Sequence, residues 1–327
     1  MARARHRWSP VCDPPKGFVR PVYVDPTGRT GPAPARARGP RWRAVGLGWY
    51  VPTEGVPDCP EQRVLEASVL LPPDGAVTGW GSARMDGATF LDGLEPDLVT
   101  RLPVPLAVPP WRNPRDREGV RLLRSPLAHT EIVIRQGVRC VLPARAAFDA
   151  MRTAKDEREA TVVIDMMAAA EQTSIRRVRL YVDARPGWEG VQLVRVALDL
   201  ADEDSRSPNE TRLRLIWVID AGLPRPQVNQ PIWDLSGKLL GIADLLDEEA
   251  GLVGEFDGAD HRGAVRQSKD EDRAGGFRDP DLEIFRVTGP DVWDPPRVVA
   301  RCFPRVLARS SCRESSEHRP GQQCRAW

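Results

Sequence analysis

The sequence predicts an α/β protein in which a mixed sheet flanked by helices follows an α+β domain. Three observations lead to this fold class. Short apolar strands alternate with helical segments over 205–308, while 45–204 mixes helical periodicity with isolated strands. The polar segment 201–206 separates the two regions, and 327 residues are enough for two domains. The remaining residues, at both ends, have a composition typical of disordered chains.

The two ends, 1–44 and 309–327, are predicted to be disordered because they are rich in Arg and in Pro or Ser and poor in apolar residues. Residues 1–44 carry a net charge of +8 and residues 301–327 carry +4, which leaves −11 for the body of the chain. Basic ends can bind DNA phosphates without sequence preference. A solvated tail with biased composition is the alternative.

The α+β domain is predicted from short apolar runs bounded by Pro and Gly. We expect strands over 47–51 and 102–111, helices from 60 to 71 and from 79, and a pair of strands formed by 120–127 and 131–140. Four helical segments follow, over 143–154, 157–171, 175–182 and 191–200. The last two contain enough β-branched residues that strands remain an alternative.

The C-terminal domain is predicted to begin with a helix at Ser207-Pro208-Asn209-Glu210. Ser at the N-cap, Pro in the first turn and Glu three residues after the Ser are typical of a helix start. Strands are then predicted over 227–235, before Asp244, around Glu255 and over 282–287. A polar helix carrying Asp270 and Arg273 is predicted before the last strand.

Two of these strands form an acidic hairpin. The strand that ends at Asp244 and the strand that contains Glu255 are joined by a turn with Asp247, Glu248 and Glu249. Because alternate side chains of a strand share a face, Glu255 and Asp257 are predicted to point the same way and Phe256 into the packed side. Asp244 joins them if the strands pair. Carboxylates that converge in this way repel one another, and a divalent cation relieves the repulsion.

This order of elements and acidic residues resembles the very-short-patch repair endonuclease branch of the restriction-endonuclease-like (PD-(D/E)XK) superfamily. The resemblance covers roughly the last third of the chain and rests on these residues: Glu210, Asp244, Glu255, Asp257, Gly258, His261, Asp270, Arg273 and Arg286-Val287-Thr288. It implies a DNA endonuclease that hydrolyses phosphodiester bonds with Mg²⁺ or Mn²⁺. Asp244, Glu255 and Asp257 would be the metal ligands, and Glu210 would support them.

The chain departs from the wider superfamily at Asp257, where the usual pattern has Lys. The very-short-patch branch shows a similar replacement and uses a nearby His, which here is His261, as the group that transfers a proton. Arg262, Arg273 and Arg286 are possible phosphate contacts. The alternative function is that of a non-catalytic antitoxin-like or DNA-associated regulatory protein, whose nuclease fold has lost turnover.

Each site residue also has a purely structural interpretation. Glu210 can complete a capping box, Asp244 can form a turn, and Asp257-Gly258 can be a hairpin turn. His261 can be a surface residue in a polar loop, and Asp270 and Arg273 can form a salt bridge within one helix. A solvated acidic surface is therefore a third hypothesis for the whole cluster.

The front domain resembles the body of abortive-infection (type IV) antitoxins. The resemblance rests on the segments GWYVP, EQRVLEASVLLP, GWGSARMDGATF and GVRCVLPARAAFDAMRTA. Such antitoxins commonly start with a winged-helix DNA-binding unit, whose place is taken here by the Arg/Pro-rich segment. The resemblance implies a toxin or another protein as a possible partner.

The cysteines and the absence of long apolar runs favour a cytoplasmic protein with no membrane association. DNA as a partner is what the endonuclease resemblance implies. None of the six cysteines forms a C-x-x-C pair, so free thiols are expected. A zinc site built from Cys302, Cys312, His318 and Cys324 is the alternative, although its spacings are wide for structural zinc.

Overall fold

The computed structural model describes residues 10–12, 17–46, 48–112, 114, 117–234, 236–237, 239–257 and 283–303. The chain divides into two compact units, Met1–Glu203 and Asp204–Trp327, and the division lies within the polar linker. Both units combine helices with sheets, so the protein belongs to the mixed α/β class. The predicted disordered tail 309–327 lies outside the described residues.

Residues 17–46 are folded, which corrects the prediction that the whole segment 1–44 is disordered. They contain strand β1 (Val22–Tyr23), helix α1 (Pro34–Ala37) and strand β2 (Trp42–Gly46), and with β3 (Trp49–Pro52) they form a three-stranded sheet of order β1-β3-β2. Arg43 makes two hydrogen bonds of 2.8 Å to Glu66, so it belongs to the fold and not to a basic arm. Composition misses such a segment because its order comes from backbone pairing with β3 and from contacts with α2.

A five-stranded sheet of order β6-β5-β4-β8-β7 forms the centre of the first unit. Its strands are β4 (Ala76–Val77), β5 (Val104–Val108), β6 (Val120–Arg124), β7 (Ile132–Arg135) and β8 (Val138–Val141). The predicted pairing of 120–127 with 131–140 is wrong, because β6 and β7 lie at opposite edges. The segment 131–140 is itself a hairpin, whose turn residues Gln136 and Gly137 have φ of 51° and 79°. A left-handed turn at Gln136-Gly137 therefore divides the segment that the sequence predicts as a single strand.

Six helices accompany that sheet: α2 (Pro60–Ala67), α3 (Gly79–Met85), α4 (Pro143–Arg152), α5 (Glu157–Ala169), α6 (Ile175–Asp183) and α7 (Val191–Leu200). The segments α6 and α7 are helices, so the strand alternative is excluded. Side chains cap two of the helices, since Asp156 accepts from Glu159 N and the Ser174 hydroxyl accepts from Arg177 N. Their apolar faces join one core with β4, β5 and β8.

A buried ionic cluster lies beside this core. Asp149 and Arg145 on α4 are both completely buried, and the carboxylate of Asp149 accepts from Arg145 Nε and Arg152 Nε, each at 2.7 Å. The hydroxyl of Thr78 donates to the same carboxylate at 2.7 Å. The guanidinium of Arg145 also donates to the carbonyl of Pro126 at 2.9 Å. The cluster therefore links α4 to two loops of the unit.

The described part of the second unit contains a four-stranded sheet of order β12-β11-β10-β9 and two α-helices. Its described elements, in chain order, are α8 (Pro208–Leu215), β9 (Gln227–Trp233), β10 (Leu239–Asp247), β11 (Leu252–Asp257), β12 (Glu283–Thr288) and α9 (Pro295–Cys302). The first helix and the four strands agree with the prediction, except that β10 does not end at Asp244. It continues through Leu245 and Leu246 to Asp247 because these residues pair with β11, so Asp244 lies within the strand. The predicted helix with Asp270 and Arg273 lies outside the described residues.

The core of this unit lies between one face of the sheet and the helices. Helix α8 continues through a π-helical turn, Ile216–Asp220, which buries Trp217 against Phe285 and Phe303. The indole N–H of Trp217 donates to the carbonyl of Pro224 at 2.9 Å, so the buried ring has no unsatisfied donor. Because this core holds α8 on the sheet, the first turn of α8 is fixed relative to β9 and β10.

Four cysteines, Cys12, Cys59, Cys140 and Cys302, are free thiols, as the sequence predicted. The other members of the zinc alternative, Cys312, His318 and Cys324, lie outside the described residues. Among the helices that the structure describes, none is long and apolar enough to cross a membrane.

Candidate functional site

The pairing of β10 with β11 places Asp244 and Glu255 next to each other. The two strands are antiparallel, and their paired residues run from Asp247↔Leu252 to Leu245↔Gly254. Asp244 precedes Leu245 on β10, and Glu255 follows Gly254 on β11. The two acidic residues therefore lie on neighbouring strands at the same level. The side chain of Asp244 also makes a hydrogen bond to the backbone of β11, because its Oδ2 accepts from Phe256 N at 2.8 Å. The predicted acidic hairpin is therefore confirmed.

The strand β11 separates its acidic and apolar side chains as predicted. Leu252 and Phe256 pack into the core that contains Trp217, whereas Val253 belongs to a small cluster on the other face. Glu255 and Asp257 alternate with Phe256 and so share the face of Val253. Glu255 is half-buried and Asp257 is exposed at the end of the strand.

Glu210 approaches this pair from the first turn of α8. The hydroxyl of Ser207 accepts from Glu210 N at 3.2 Å, which is one half of a capping box. The other half differs, because the carboxylate of Glu210 accepts from Arg206 N at 2.9 Å, one residue before the N-cap. Its Oε2 also accepts from Asn229 Nδ2 on β9 at 3.0 Å. Glu210 is therefore tied to the sheet as well as to its own helix.

The charges of the three carboxylates act on one another. Burial raises the pKa of the Asp244 carboxyl well above its ordinary value, and the nearby charge of Glu210 raises that pKa further, followed by the charge of Glu255. The N–H of Phe256 and the charge of Arg206 oppose these effects. Glu210 and Glu255 thus lie near enough to Asp244 for their charges to act on its pKa, although the three residues come from a helix and two strands.

Of the phosphate contacts predicted from the sequence, only Arg286 lies among the described residues, and its role stays a prediction. This residue is exposed on β12 and pairs with Glu255 across the parallel strands β11 and β12. A cation therefore lies one strand away from the carboxylates. The other predicted site residues, His261, Arg262 and Arg273, lie outside the described residues, as does Gly258.

The arrangement offers oxygen ligands of the kind that Mg²⁺ and Mn²⁺ prefer. Among the described residues, however, no group of three or more His, Cys, Asp or Glu side chains is close enough to hold a metal ion. Glu210, Asp244 and Glu255 would have to move closer together around a cation. Burial, followed by the charges of Glu210 and Glu255, raises the pKa of Asp244, and a cation would offset the contribution of these two charges.

Comparisons with protein-family models, with curated proteins and with solved structures found no match to this chain.

Sequence reasoning missed two residues of the site, Asn229 and Arg206. Asn229 lies on β9 opposite the position of Asp244, and its backbone is left-handed with φ of 51°. Arg206 contributes its backbone N–H to Glu210 and a positive charge near Asp244. The one signal in the sequence is an Asn inside a predicted strand, where Asn is disfavoured.

The raised pKa of Asp244 predicts how the second unit responds to pH. A carboxyl whose pKa is higher in the folded state stabilises the fold at low pH, and this contribution is lost as the pH rises through the folded pKa. In metal-free buffer, the unit should therefore lose stability as the pH rises above the ordinary range of an Asp. Asp244→Asn should remove this loss and make the unit more stable than wild type at neutral pH.

Hydrogen exchange of the β10 and β11 amides measures the stability of this unit separately from the first. Glu249→Gln is the matched control, because it removes one exposed carboxylate from the same hairpin. It should leave the pH dependence unchanged. Equal pH profiles for wild type and Asp244→Asn would contradict the prediction.

Proposed function

We propose that this protein is a divalent-metal-dependent DNA endonuclease that hydrolyses phosphodiester bonds. The observation that carries the proposal is that the charges of Glu210 and Glu255 act on the carboxyl of Asp244, at the point where β10 and β11 separate. A carboxyl whose pKa is raised by burial and then by two other acids is unfavourable for the fold alone, and such groups cluster at functional sites.

Asp244 and Glu255 would hold the cation, with Asp257 on the same face as Glu255 and Glu210 in support. When bound, Mg²⁺ or Mn²⁺ would polarise the phosphate and lower the pKa of water. The remaining roles belong to side chains. Arg286 would bind a phosphate of the DNA, together with Arg262 and Arg273, and His261 would accept or deliver a proton.

The restriction-endonuclease-like core is part of the same proposal. The described order of helix α8, strands β9 to β11 and strand β12 agrees with the order of elements on which the resemblance rests. Both Asp244 and Glu255 lie on the central strands β10 and β11 of the four-stranded sheet.

The second candidate is a DNA-associated or antitoxin-like regulatory protein without turnover. It is favoured by Asp257, which stands where the wider superfamily has Lys, and by the finding that no group of three or more His, Cys, Asp or Glu side chains among the described residues could hold a metal ion. The type IV antitoxin-like front half gives this candidate a toxin as its partner. Cytoplasmic location is part of both candidates.

Thermal unfolding and plasmid nicking by the wild-type protein test the two candidates. For an endonuclease, Mn²⁺ or Mg²⁺ should raise the unfolding temperature of the second unit, because a ligand that binds only the folded state stabilises it. The same ions should support nicking of supercoiled DNA, and excess EDTA should abolish both effects. Stabilisation without nicking would favour the regulatory candidate. The absence of both stabilisation and nicking would contradict a metal site.

A further inference from the structure

The first turn of helix α7 has backbone N–H groups that can donate to a ligand. Gly190 precedes the helix in a left-handed conformation, with φ of 77°, and no side chain caps the helix. The N–H of Val191 donates to the carbonyl of Trp188 at 3.2 Å. The N–H groups of Gln192 and Leu193 make no hydrogen bond to any described residue. Because they lie at the positive end of a helix of 10 residues, these two groups are suited to an anion.

The side chain of Arg152, at the end of α4, lies beside this end of α7. A Cβ added to Gly190 would be 2.6 Å from Arg152 Cβ, so the two residues are in close contact. At the other end of the side chain, Arg152 Nη1 is 3.8 Å from Oε2 of Glu189, whose side chain is 95% exposed. The Arg152 side chain is only 6% exposed, and its Nη2 is buried without a hydrogen bond to any described residue. Buried guanidinium nitrogens normally have an acceptor, so this nitrogen also points to a ligand.

The buried charges around Arg152 favour an anionic ligand. Arg152 Nε donates to Oδ1 of Asp149 at 2.7 Å, but Oδ2 of the same carboxylate accepts from Arg145 Nε at 2.7 Å. Glu131 extends this cluster, because it lies 3.9 Å from Arg145 and 3.3 Å from Arg185. Three guanidinium groups are thus matched by two largely buried carboxylates. An anion beside Arg152 would balance the remaining positive charge.

We propose that the N-terminus of α7 and the guanidinium of Arg152 form a binding site for a phosphate group. Two backbone N–H groups and a guanidinium are donors of the kind that phosphate oxygens accept. Because the guanidinium is almost fully buried, the site suits a free phosphate ion or a terminal phosphate monoester. A phosphodiester has a substituent on both sides and is excluded. The site lies in the first unit and requires neither a cation nor nuclease activity, so it is independent of the proposed function.

Titration calorimetry of the full-length protein at constant ionic strength tests the site, with inorganic phosphate, phenyl phosphate and dimethyl phosphate as probes. Wild type should bind inorganic phosphate with a Kd of about 1 mM or tighter. Tighter binding of phenyl phosphate would identify a monoester as the ligand, and weaker binding would identify the free ion. The diester dimethyl phosphate should bind at least about 10-fold more weakly than inorganic phosphate. No binding of inorganic phosphate at about 20 mM, or equal binding of the diester, would overturn the proposal.

Gln192→Pro and Gln192→Ala separate the backbone donor from the side chain. Pro removes the N–H of residue 192, and the fold tolerates Pro in a first helical turn, as it does at Pro295 and Pro296 of α9. Gln192→Pro should bind phosphate about 10-fold more weakly than wild type, because one hydrogen bond to a charged group is lost. Gln192→Ala keeps the N–H and should stay within about twofold of wild type. Equal affinities of the two variants would overturn the proposal.

Arg152→Lys tests the guanidinium while it keeps a positive charge beside Asp149. Phosphate affinity should fall about 10-fold, because Lys lacks the planar set of donors. Glu189→Gln should instead raise the affinity about threefold, since it removes a negative charge near the bound anion. The matched control is Glu54→Gln, which removes an exposed carboxylate elsewhere in the first unit and should bind like wild type. Unchanged affinity in Arg152→Lys, or equal affinities of Glu189→Gln and Glu54→Gln, would overturn the proposal.

Discussion

Glu255→Gln should abolish both the stabilisation by Mn²⁺ and the nicking of supercoiled DNA, with a fall in nicking rate of more than about 100-fold. Changing a partner behind a metal ligand already costs about 10- to 100-fold in affinity or activity, so the loss of a direct ligand costs more. Gln keeps the size of Glu and removes one charge. It should therefore leave the fold intact and reduce the repulsion that raises the pKa of Asp244.

The control for this prediction is Glu249→Gln, an identical change at an exposed position in the turn that joins β10 to β11. It should melt and nick like wild type with and without Mn²⁺. A Glu255→Gln variant that behaves like this control in every assay would show that Glu255 is not a ligand. The acidic cluster would then be a solvated surface, which is the third hypothesis drawn from the sequence.

Asp149→Ala should lower the free energy of unfolding of the first unit by about 3–5 kcal/mol. Removing one partner of a buried ion pair leaves the other charge buried and uncompensated, and this accounts for the size of the effect. Here two guanidinium groups lose their shortest ion pair, because Arg145 and Arg152 both donate to Asp149 at 2.7 Å. The hydroxyl of Thr78 loses an acceptor as well.

Urea unfolding followed by circular dichroism measures this loss, and Asp183→Ala is the matched control. Asp183 is an exposed aspartate at the end of α6 in the same unit, so its removal should change the stability by less than about 0.5 kcal/mol. The two variants should differ by several kcal/mol. A loss below about 1 kcal/mol for Asp149→Ala would contradict the ionic cluster as a support of the fold.

Local sequence alone was enough to predict most elements of the second unit. Ser207-Pro208 marks the start of α8 because the cap and the Pro act within one turn. The acidic turn between β10 and β11 predicts a hairpin, and a hairpin by itself puts Asp244 beside Glu255. Strand alternation likewise assigns Phe256 to the core and Glu255 to the opposite face. These features depend on residues that are close together in the chain.

Only the tertiary structure decided features that join distant residues. The order of the five-stranded sheet puts β6 and β7 at opposite edges although they are neighbours in sequence. Asn229 reaches Glu210 across 19 residues, and Thr78 reaches Asp149 across 71. The segment 17–46 gains its order from backbone pairing with β3, which its own composition does not reveal. Periodicity and caps report local preference, whereas these contacts depend on how β9, α8 and the strands of each sheet pack together in space.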